Sequence, residues 1–251
     1  METIQNELHG AVRTVTLNRP EKRNALDGEM LDGLYDIFSA QPEGSERVVV
    51  LRSEGSVFCA GLDLVSRTGV SNGTSSIETM LHALAQYPLP VVGVVQGDAI
   101  AGGNELALHC DIVVASDRAR FGMSLAQIGL CPTWFLTKKL VELAGPVTTR
   151  ELLLLGDPLP APRMCELGVI ARSVPHDELQ DTADQIVTRL ADNAPLSLIA
   201  MKGLLNRLMD YRDGIDHAAV DLLVGKASSS EDAREGVAAR MQKRPAEFKG
   251  A

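Results

Sequence analysis

The chain has 251 residues, enough for one large domain or for a domain with an appendage. Hydrophobic residues make up 45% of the sequence and aromatic residues only 4%, so valine, leucine and alanine must fill most of the core. The formal net charge of −9 argues against general nucleic-acid binding, because that needs a basic surface to displace counterions. A local basic patch for a small ligand that carries phosphate is not excluded.

The cysteines and the hydropathy of the chain set further limits. Cys59, Cys110, Cys131 and Cys165 form no CxxC pair, so we expect reduced, mostly buried thiols and neither a metal site nor a disulfide framework. The N-terminal “METIQNELHG” lacks the apolar segment of a signal peptide. No apolar stretch approaches the roughly 20 residues of a membrane span. We therefore expect a soluble, cytoplasmic protein without a membrane span.

Strands and helices alternate along the first part of the chain. The segment “VRTVTLN” has the two-residue period of a strand. A helix is predicted to begin near Asn24 and to continue through “EMLDGLYDIFSA”. Two further strands are predicted in “ERVVVLRSE” and “VFCAG”, and residues 66–76, rich in Gly, Ser and Thr, are predicted to form a loop. This order of elements is typical of an α/β protein.

The same alternation continues to about residue 175. Helices are predicted in “IETMLHALAQYP”, closed by Pro88, and in “GGNELALHC”, and strands in “PLPVVGVVQG”, “DIVVAS” and the short “ARFGM”. Two helices that end at Gly145 and Gly156 precede the predicted strand “GVIARSVP”. From Glu178 onward the pattern is almost wholly helical. We therefore expect an α/β core followed by a helical C-terminal part.

Three segments share a strand, a turn of small residues and then a helix or loop: 17–27 (“LNRPEKRNALD”), 58–64 (“FCAGLDL”) and 99–108 (“AIAGGNELAL”). Such turns leave backbone N–H groups uncovered, and a helix N-terminus adds free donors with partial positive charge. Gly102 and Gly103 let a ligand approach the backbone closely. Two such turns facing each other could hold one oxygen as an oxyanion hole. Glycines that merely permit tight strand-to-helix packing are the alternative interpretation.

These segments resemble the enoyl-CoA hydratase/isomerase (crotonase) family, in the same order and at similar separations. “LNRPEKRNAL” is similar to the family's N-terminal signature, “FCAGLDL” to its AGxD motif and “GGNELALHCDIVVAS” to its acidic-helix motif. “ARFGMSLAQIGLCP” resembles the segment that follows, and “RMQKRPAEFKG” resembles the closing helix and tail. The resemblance spans nearly the whole chain.

The resemblance implies a fold, a ligand and an assembly. The fold would be α/β, a crotonase-like spiral of ββα units with a helical C-terminal region. Residues 1–190 would form the spiral core with the acyl-CoA site, and residues 191–251 the helical region that packs trimers. The expected ligand is an acyl-CoA thioester, with coenzyme A as part of the substrate and with no cofactor and no metal. The expected assembly is a homotrimer or a hexamer.

By motif position, the resemblance also assigns site residues. The amides of Leu62 and Gly102 would form an oxyanion hole around the thioester carbonyl, with Glu105 beside it. The residues that would border the adenine and pantetheine, or meet the phosphates, are Lys22, Arg23, Ala25, Ala60, Asp63, Leu64 and, from a neighbouring subunit, Lys243. For the three cations, solvated surface charge is the alternative. Trp134 is expected to line the acyl pocket or to pack beneath it, and His82 to lie on a helix surface.

The chain departs from the family pattern at one informative position. Family hydratases place two glutamates at the pocket; the first matches Glu105, and the second falls on Leu125, after Ser124 where the family often has proline. Adding water to a double bond needs a base for the water and a proton source for the α carbon, and leucine can supply neither. Burial should raise the pKa of Glu105 and favour a proton-exchanging role, although a salt-bridged structural acid is the alternative.

Three functions remain open on the sequence. The first is an acyl-CoA enzyme of hydratase/isomerase type that uses Glu105 as the single retained acid/base, with the oxyanion hole stabilising a thioester enolate. The second is a Δ3-Δ2-enoyl-CoA isomerase, or other enolate chemistry such as decarboxylation. The third is a non-catalytic acyl-CoA-binding protein, which the apolar Leu125 position and the “PTWFL” segment would suit.

Overall fold

The computed structural model describes residues 2–64, 75–210 and 214–250, so most of the predicted loop at 66–76 lies outside the described residues. The strands, numbered along the chain, are β1 (Ile4–His9), β2 (Val12–Leu17), β3 (Val48–Ser53), β4 (Val91–Val95), β5 (Ala99–Ile100), β6 (Ile112–Ser116), β7 (Arg120–Gly122), β8 (Leu159–Pro160) and β9 (Arg172–Val174). The main sheet has the order β1-β2-β3-β4-β6-β9. In it, β1 is antiparallel to β2 and all other neighbours are parallel.

A second, smaller sheet has the order β5-β7-β8, with β5 parallel to β7 and β8 antiparallel to it. The α-helices are α1 (Gly28–Ser39), α2 (Ile77–Gln86), α3 (Gly102–Leu108), α4 (Trp134–Arg150), α5 (Ala161–Glu166), α6 (Leu179–Asp192), α7 (Pro195–Met209), α8 (Ala218–Ser229) and α9 (Glu231–Gln242). None of the described helices is both long enough and apolar enough to span a bilayer.

The main sheet is covered on both faces. Side chains alternate along β3, so Val49 and Leu51 join the core that packs under α1, α2 and α3, whereas Val48 and Val50 join the core that packs against α6. A strand that is buried on both sides reads as a continuous apolar run, and such strands are typical of parallel sheets with helical layers. The predicted α/β core with a helical C-terminal part is confirmed. The predicted division at residue 190 stays a prediction, and it falls within the last turn of α6.

Two predicted elements differ in the structure. The helix predicted near Asn24 begins at Gly28, because Asn24 has a left-handed backbone (φ 52°) and its buried amide donates to the carbonyls of Glu54 and Val57. Asp27 instead caps α1, accepting a hydrogen bond from the Met30 amide. The segment “VFCAG” is not a strand: it makes only an isolated bridge from Cys59 to Ala99.

Other differences are in extent. The predicted strand “GVIARSVP” is reduced to β9, and both β1 and the short α5 went unpredicted. Gly145 does mark the predicted helix end, because its non-helical backbone (φ 67°, ψ 171°) kinks α4 before the chain continues helically. The continuation ends at Gly156, also as predicted, in a left-handed conformation (φ 74°). His82 is exposed on α2, as expected.

Candidate active site

The three motif segments meet at one place in the fold. Isolated parallel bridges join Leu26 to Leu62 and Cys59 to Ala99, so the turn after Cys59 is held between the other two segments. The Leu26 amide donates to the Gly61 carbonyl at 2.8 Å, and the Ile100 amide donates to the Cys59 carbonyl at 2.9 Å. The backbone therefore brings these separate turns of small residues together, as the sequence analysis expected.

The Leu62 and Gly102 turns are in direct contact. A Cβ atom built on Gly102 would lie 3.4 Å from the Leu62 nitrogen, and one built on Gly61 would lie 3.1 Å from the Gly102 nitrogen. Within the described residues, neither the Leu62 nor the Gly102 amide donates a hydrogen bond to a protein acceptor. Two unused N–H groups on adjoining turns are the components of an oxyanion hole.

Ala101 sets the direction of the second turn. It has φ 51° and ψ −118°, a conformation that favours glycine and that costs a residue with a Cβ atom about 1–3 kcal/mol. The strained residue is anchored because its amide donates to the Gly122 carbonyl at 2.8 Å, across to β7. Gly102, the next residue, opens α3, where a backbone N–H has no partner inside the helix.

A cavity of about 450 Å³ lies against these turns. Its wall contains the ends of the motif segments, the first turn of α2, the stretch around Leu125, the start of α4 and parts of α8 and α9. The lining residues are Leu26, Asp27, Gly28, Leu31, Ala60, Leu62, Asp63, Leu64, Ser76, Ile77, Glu78, Ile100, Ala101, Gly102, Met123, Ser124, Leu125, Ile128, Leu130, Cys131, Pro132, Thr133, Leu136, Val224, Ser228 and Arg240. The volume and the mainly apolar wall suit a small organic ligand.

The structure brings half of the predicted site residues to this cavity. Those that line it are Ala60, Leu62, Asp63, Leu64, Gly102 and Leu125. Lys22, Arg23 and Ala25 lie in the adjacent turn, which is attached to the cavity wall because the Ala60 amide donates to the Arg23 carbonyl at 3.0 Å. Lys22 and Arg23 are exposed. Their placement beside the cavity is compatible with phosphate binding.

Trp134 and Lys243 do not line this cavity. Trp134 is not among the lining residues; its indole stacks on the His217 ring, with centroids 4.9 Å apart and planes 6° apart. The first turn of α4 therefore points Thr133 and Leu136 at the cavity and Trp134 toward the start of α8. Lys243 caps the C-terminal end of α9 and is exposed, away from this wall. Its predicted contribution to a neighbouring subunit stays a prediction.

Glu105 does not line the cavity within the described structure. It lies one turn into α3 and is fully buried, and neither carboxyl oxygen has a hydrogen-bond partner among the described residues. Burial raises the pKa of Glu105 well above its ordinary range, with only partial opposition from Lys139. The predicted direction of the pKa change is confirmed. The carboxyl group therefore holds its proton more tightly than an exposed glutamate does, and it lies behind the wall rather than on it.

Among the residues described, the imidazole ring near the Glu105 carboxyl group is that of His109, and it carries no charge that would pair with a carboxylate. His109 Nδ1 lies 3.8 Å from Glu105 Oε2, but burial lowers the pKa of His109 to about 3, so the ring is uncharged at neutral pH. Its Nδ1 is instead 2.7 Å from the Glu105 carbonyl, and its ring stacks on Phe135 of α4. These contacts give no support to the interpretation of Glu105 as a salt-bridged structural acid.

Leu125 occupies a largely apolar part of the wall. It is half-buried, precedes the short 3-10 turn Ala126–Ile128 and packs with the apolar cluster of Ile128, Leu130 and Ala233. Ala233 belongs to α9, so the C-terminal helices close this side of the cavity. The leucine at the second glutamate position therefore makes the wall drier, as its sequence predicted.

The cavity also has charged groups that the sequence analysis missed. Arg19 joins two lining carboxylates, at 2.9 Å from Asp27 and 3.1 Å from Asp63. Glu78, in the first turn of α2, accepts a hydrogen bond from the Thr133 hydroxyl. Arg240 of α9 donates to Ser124 Oγ at 3.3 Å. A single Glu at the start of a helix has no sequence signal of its own, and only the packing of α2 against α4 brings Glu78 to the site.

Two further observations bear on the chemistry. Among the residues described, no cluster of three or more His, Cys, Asp or Glu could hold a metal ion. The four cysteines are free thiols, and Cys59 and Cys110 are buried whereas Cys131 is exposed and Cys165 lies between. Burial raises the pKa of the Cys59 and Cys110 thiols to about 12, which makes them poor nucleophiles. The polar groups at the cavity are therefore backbone amides, carboxyl groups, hydroxyls and arginines.

Comparison with known proteins adds sequence relatives. A protein of Mycobacterium tuberculosis named probable enoyl-CoA hydratase is 34% identical over 244 residues, which cover 96% of this chain and 97% of that protein. The 1,2-epoxyphenylacetyl-CoA isomerase of Escherichia coli is 33% identical over 264 residues, covering 100% of this chain and 99% of the relative. Both matches extend over essentially the whole of each chain.

The fold comparison agrees. A crystal structure of an enoyl-CoA hydratase from Mycobacterium avium subsp. paratuberculosis superposes with a TM-score of 0.86 at 27% identity, covering 99% of each chain. The crotonase-like architecture predicted from the motifs is therefore confirmed. The family model for enoyl-CoA hydratase/isomerase matches residues 7–251. The chain belongs to the enoyl-CoA hydratase/isomerase family.

Proposed function

We propose that the protein is an acyl-CoA enzyme of hydratase/isomerase type that stabilises a thioester enolate. The carbonyl oxygen of the thioester would accept hydrogen bonds from the Leu62 and Gly102 amides. The observation that carries this proposal is the pair of unused N–H groups on adjoining turns at a cavity wall. Such donors are most effective where charge develops during the reaction, and removing one typically costs a factor of 10²–10³ in kcat.

Glu105 is the proposed acid of this reaction. It lies one helical turn beyond Gly102, and burial raises the pKa of its carboxyl group, which favours the protonated form that can donate a proton to the α carbon of an enolate. Donation requires the wall between Glu105 and the cavity to open when the acyl chain binds. Because a buried carboxyl group without hydrogen bonds is destabilising, a ligand that offers it a partner would favour that opening.

The coenzyme A portion would lie along the turn that carries Lys22 and Arg23. Both side chains are exposed and neighbour the wall residue Ala60, so they can meet phosphate oxygens while Ala25, Asp63 and Leu64 border the remainder of the coenzyme. Coenzyme A would act as part of the substrate, with no additional cofactor. Cys131 is an exposed free thiol, which is compatible with the reducing cytoplasm that we propose as the location of the protein.

Two alternatives keep the same binding site. Isomerisation or another enolate reaction, such as decarboxylation, needs fewer proton-transfer groups than water addition and would suit a site with leucine at position 125. Binding of acyl-CoA without turnover is favoured by one specific observation, the enclosure of Glu105 behind the cavity wall. The oxyanion hole would then serve as a carbonyl-binding site only.

Assembly is part of the proposal. Helix α7 has an exposed apolar face formed by Met201, Leu204, Leu205 and Leu208, which recur at helical spacing. Leu222 and Leu223 of α8 are exposed as well. Exposed apolar patches of this kind mark protein interfaces, and we propose that further copies of the chain cover them in a homotrimer or hexamer.

Purified protein tested with acyl-CoA ligands separates these possibilities. Calorimetric titration with a saturated acyl-CoA should show binding, and incubation with crotonyl-CoA and with a 3-enoyl-CoA should show which is converted. Hydration of crotonyl-CoA supports a hydratase, and conversion of the 3-enoyl thioester alone supports an isomerase. Tight binding without conversion of either supports the non-catalytic alternative. Absence of binding refutes the proposed site.

A further inference from the structure

Glu78 lines the cavity whose wall also contains the Leu62 and Gly102 turns. It is the second residue of α2, and the preceding residue, Ile77, reaches the Gly102 turn: a Cβ atom on Gly102 would lie 2.8 Å from Ile77 Cδ1. Ser76 fixes this end of the helix by accepting a hydrogen bond from the Thr79 amide at 3.1 Å. The residue before Glu78 therefore touches the turn that carries the Gly102 amide, and Glu78 itself lines the same cavity.

Among the described carboxylates that line the cavity, Glu78 is the one without a cationic partner. Asp27 and Asp63 share the Arg19 guanidinium, and Asp27 additionally caps α1. Glu78 is half-buried and receives the Thr133 hydroxyl hydrogen on Oε1. A carboxylate that is not committed to an ion pair retains a free oxygen with which to accept a proton.

The chain lacks a carboxylate at position 125, and Glu105 is outside the lining. We propose that Glu78 is the general base of the site and takes the role that Leu125 cannot fill. This assignment rests on the proposed function, because it needs the thioester carbonyl to sit between the Leu62 and Gly102 amides. It places the base on α2 and the acid on α3, on two helices that contact each other.

The step balances as a simple hydration. Glu78 removes a proton from a water molecule, whose oxygen bonds to the β carbon of a 2-enoyl thioester. The electron pair of the double bond moves toward the carbonyl and gives an enolate held by the two amides. A proton from Glu105 then bonds to the α carbon, so water has been added with no oxidant or reductant. Exchange with solvent returns the proton from Glu78 to Glu105.

Thr133 acts as a positioning residue in this scheme. It is the N-cap residue of α4, and its hydroxyl donates to Oε1 of Glu78, which holds that carboxylate at the cavity that both residues line. Removing the hydroxyl in Thr133→Val should lower kcat while leaving KM nearly unchanged. Thr133→Ser, which keeps the hydroxyl, should restore most of the rate. A merely structural role would lower stability without this separation of kcat from KM.

The decisive comparison uses Glu78→Gln beside Glu54→Gln, a matched change at an exposed carboxylate outside the site. Hydration of crotonyl-CoA and calorimetric binding of a saturated acyl-CoA are measured on both folded variants. We expect Glu78→Gln to lower kcat on the order of 100-fold with little change in affinity, as is typical for loss of a general base. Glu54→Gln should match the natural chain. Adding Leu125→Glu to Glu78→Gln should recover part of the lost rate.

The possible outcomes distinguish a failure of the role proposed for Glu78 from a failure of the proposed acyl-CoA site. If Glu78→Gln hydrates crotonyl-CoA as fast as the natural chain, or if the natural chain binds acyl-CoA but adds no water, the role of Glu78 is refuted while the acyl-CoA site stands. If the natural chain binds no acyl-CoA, the proposed function itself fails. Loss of rate in Glu78→Gln without loss of binding supports the assignment.

Discussion

Gly102 and Gly103 are neighbours with different roles, and alanine substitutions should separate them. A methyl group on Gly102 would meet the flexible end of Ile77 at 2.8 Å and would lie 3.4 Å from the Leu62 nitrogen. We expect Gly102→Ala to fold with a loss below about 1 kcal/mol, because Ile77 can rotate, yet to lose on the order of 100-fold in kcat since the methyl fills the space between the two amides.

The matched change Gly103→Ala should instead act mainly on the stability of the fold. Its Cβ atom would lie 2.0 Å from the Cys59 carbonyl oxygen, which is backbone and cannot move without disturbing the segment beneath. We expect a loss of about 3 kcal/mol or more in the free energy of unfolding. Urea unfolding and turnover, measured on both variants, check the pair. Unchanged kcat in a folded Gly102→Ala would remove the oxyanion hole from the proposal.

Glu105 should leave a signature in the pH dependence of stability. Its pKa is raised in the folded chain, whereas an unfolded glutamate titrates at about 4.3. Between these values the folded chain binds more protons than the unfolded chain, so this group makes the free energy of unfolding fall as pH rises. The slope is at most about 1.4 kcal/mol per pH unit and acts until the folded pKa is passed.

Glu105→Gln cannot titrate and should lose that slope. Its stability relative to the natural chain should therefore increase as pH rises from about 4.3 toward the raised folded pKa of Glu105, by at most about 1.4 kcal/mol per unit. His109 contributes the opposite slope, because burial lowers its pKa to about 3, but it does so in both proteins and cancels in the comparison. Urea unfolding at several pH values measures the difference. Parallel pH profiles for the two proteins would show that Glu105 is not protonated by burial.

At single residues, the sequence predicted backbone positions better than side-chain directions. Leu62 and Gly102 were singled out by their positions in the family motifs, and both line the same cavity. Glu105 was expected to face the ligand, yet α4 packs over α3 and encloses it, a contact between segments about thirty residues apart. Glu78 had no sequence signal because its partner, Thr133, is 55 residues away.

At the scale of the elements, the side chain of Arg19 links the turn before α1 to the turn after Cys59. The Arg19 guanidinium bonds to Asp27 and Asp63 and donates to the Ala25 carbonyl at 2.7 Å, with its side chain only 14% exposed. Replacing it in Arg19→Met removes the cation that Asp27 and Asp63 share. We expect a loss of about 2 kcal/mol, between the values typical of exposed and of buried ion pairs.

Arg13→Met is the matched control for this element. Arg13 is similarly buried, with 11% of its side chain exposed, and pairs with Glu43 and Glu46 near the start of β2, at the other end of that strand from the motif segment. Both variants should lose comparable stability in urea unfolding, but only Arg19→Met should weaken acyl-CoA binding, because Asp63 lies beside the Leu62 amide. Equal affinity in the two variants would contradict a role for Arg19 in shaping the site.

The elements that sequence patterns missed are those whose stability comes from neighbours. Strand β1 is mostly polar and exposed, and it is fixed by pairing along its whole length with β2, from Ile4 with Leu17 to His9 with Val12. The predicted strand at “VFCAG” has suitable residues, but the β5 segment it meets is only two residues long and allows a single bridge. Strand pairing, unlike helix periodicity, is decided by distant segments.

At the scale of the whole molecule, the order of elements was sufficient for the fold class. Alternating strand and helix patterns predict a parallel sheet with helical layers, and apolar runs such as those of β3 and β4 predict burial on both faces. The motif order then identified the family. Neither feature describes how the C-terminal helices fold back, and it is Arg240 and Val224 of those helices that complete the cavity wall.

The exposed face of α7 gives a prediction for the assembly. Leu204 and Leu208 are 64% and 70% exposed, one helical turn apart, and a single chain would leave this apolar face in water. We expect the natural chain to elute as a trimer or hexamer in size-exclusion chromatography with light scattering. The double substitution Leu204→Glu with Leu208→Glu should place two buried charges in each contact and shift the mass toward one chain. Leu154→Glu, the same change at an equally exposed leucine outside α7, should leave the mass unaltered. A monomeric natural chain, or a double variant that still assembles, would contradict α7 as the contact surface.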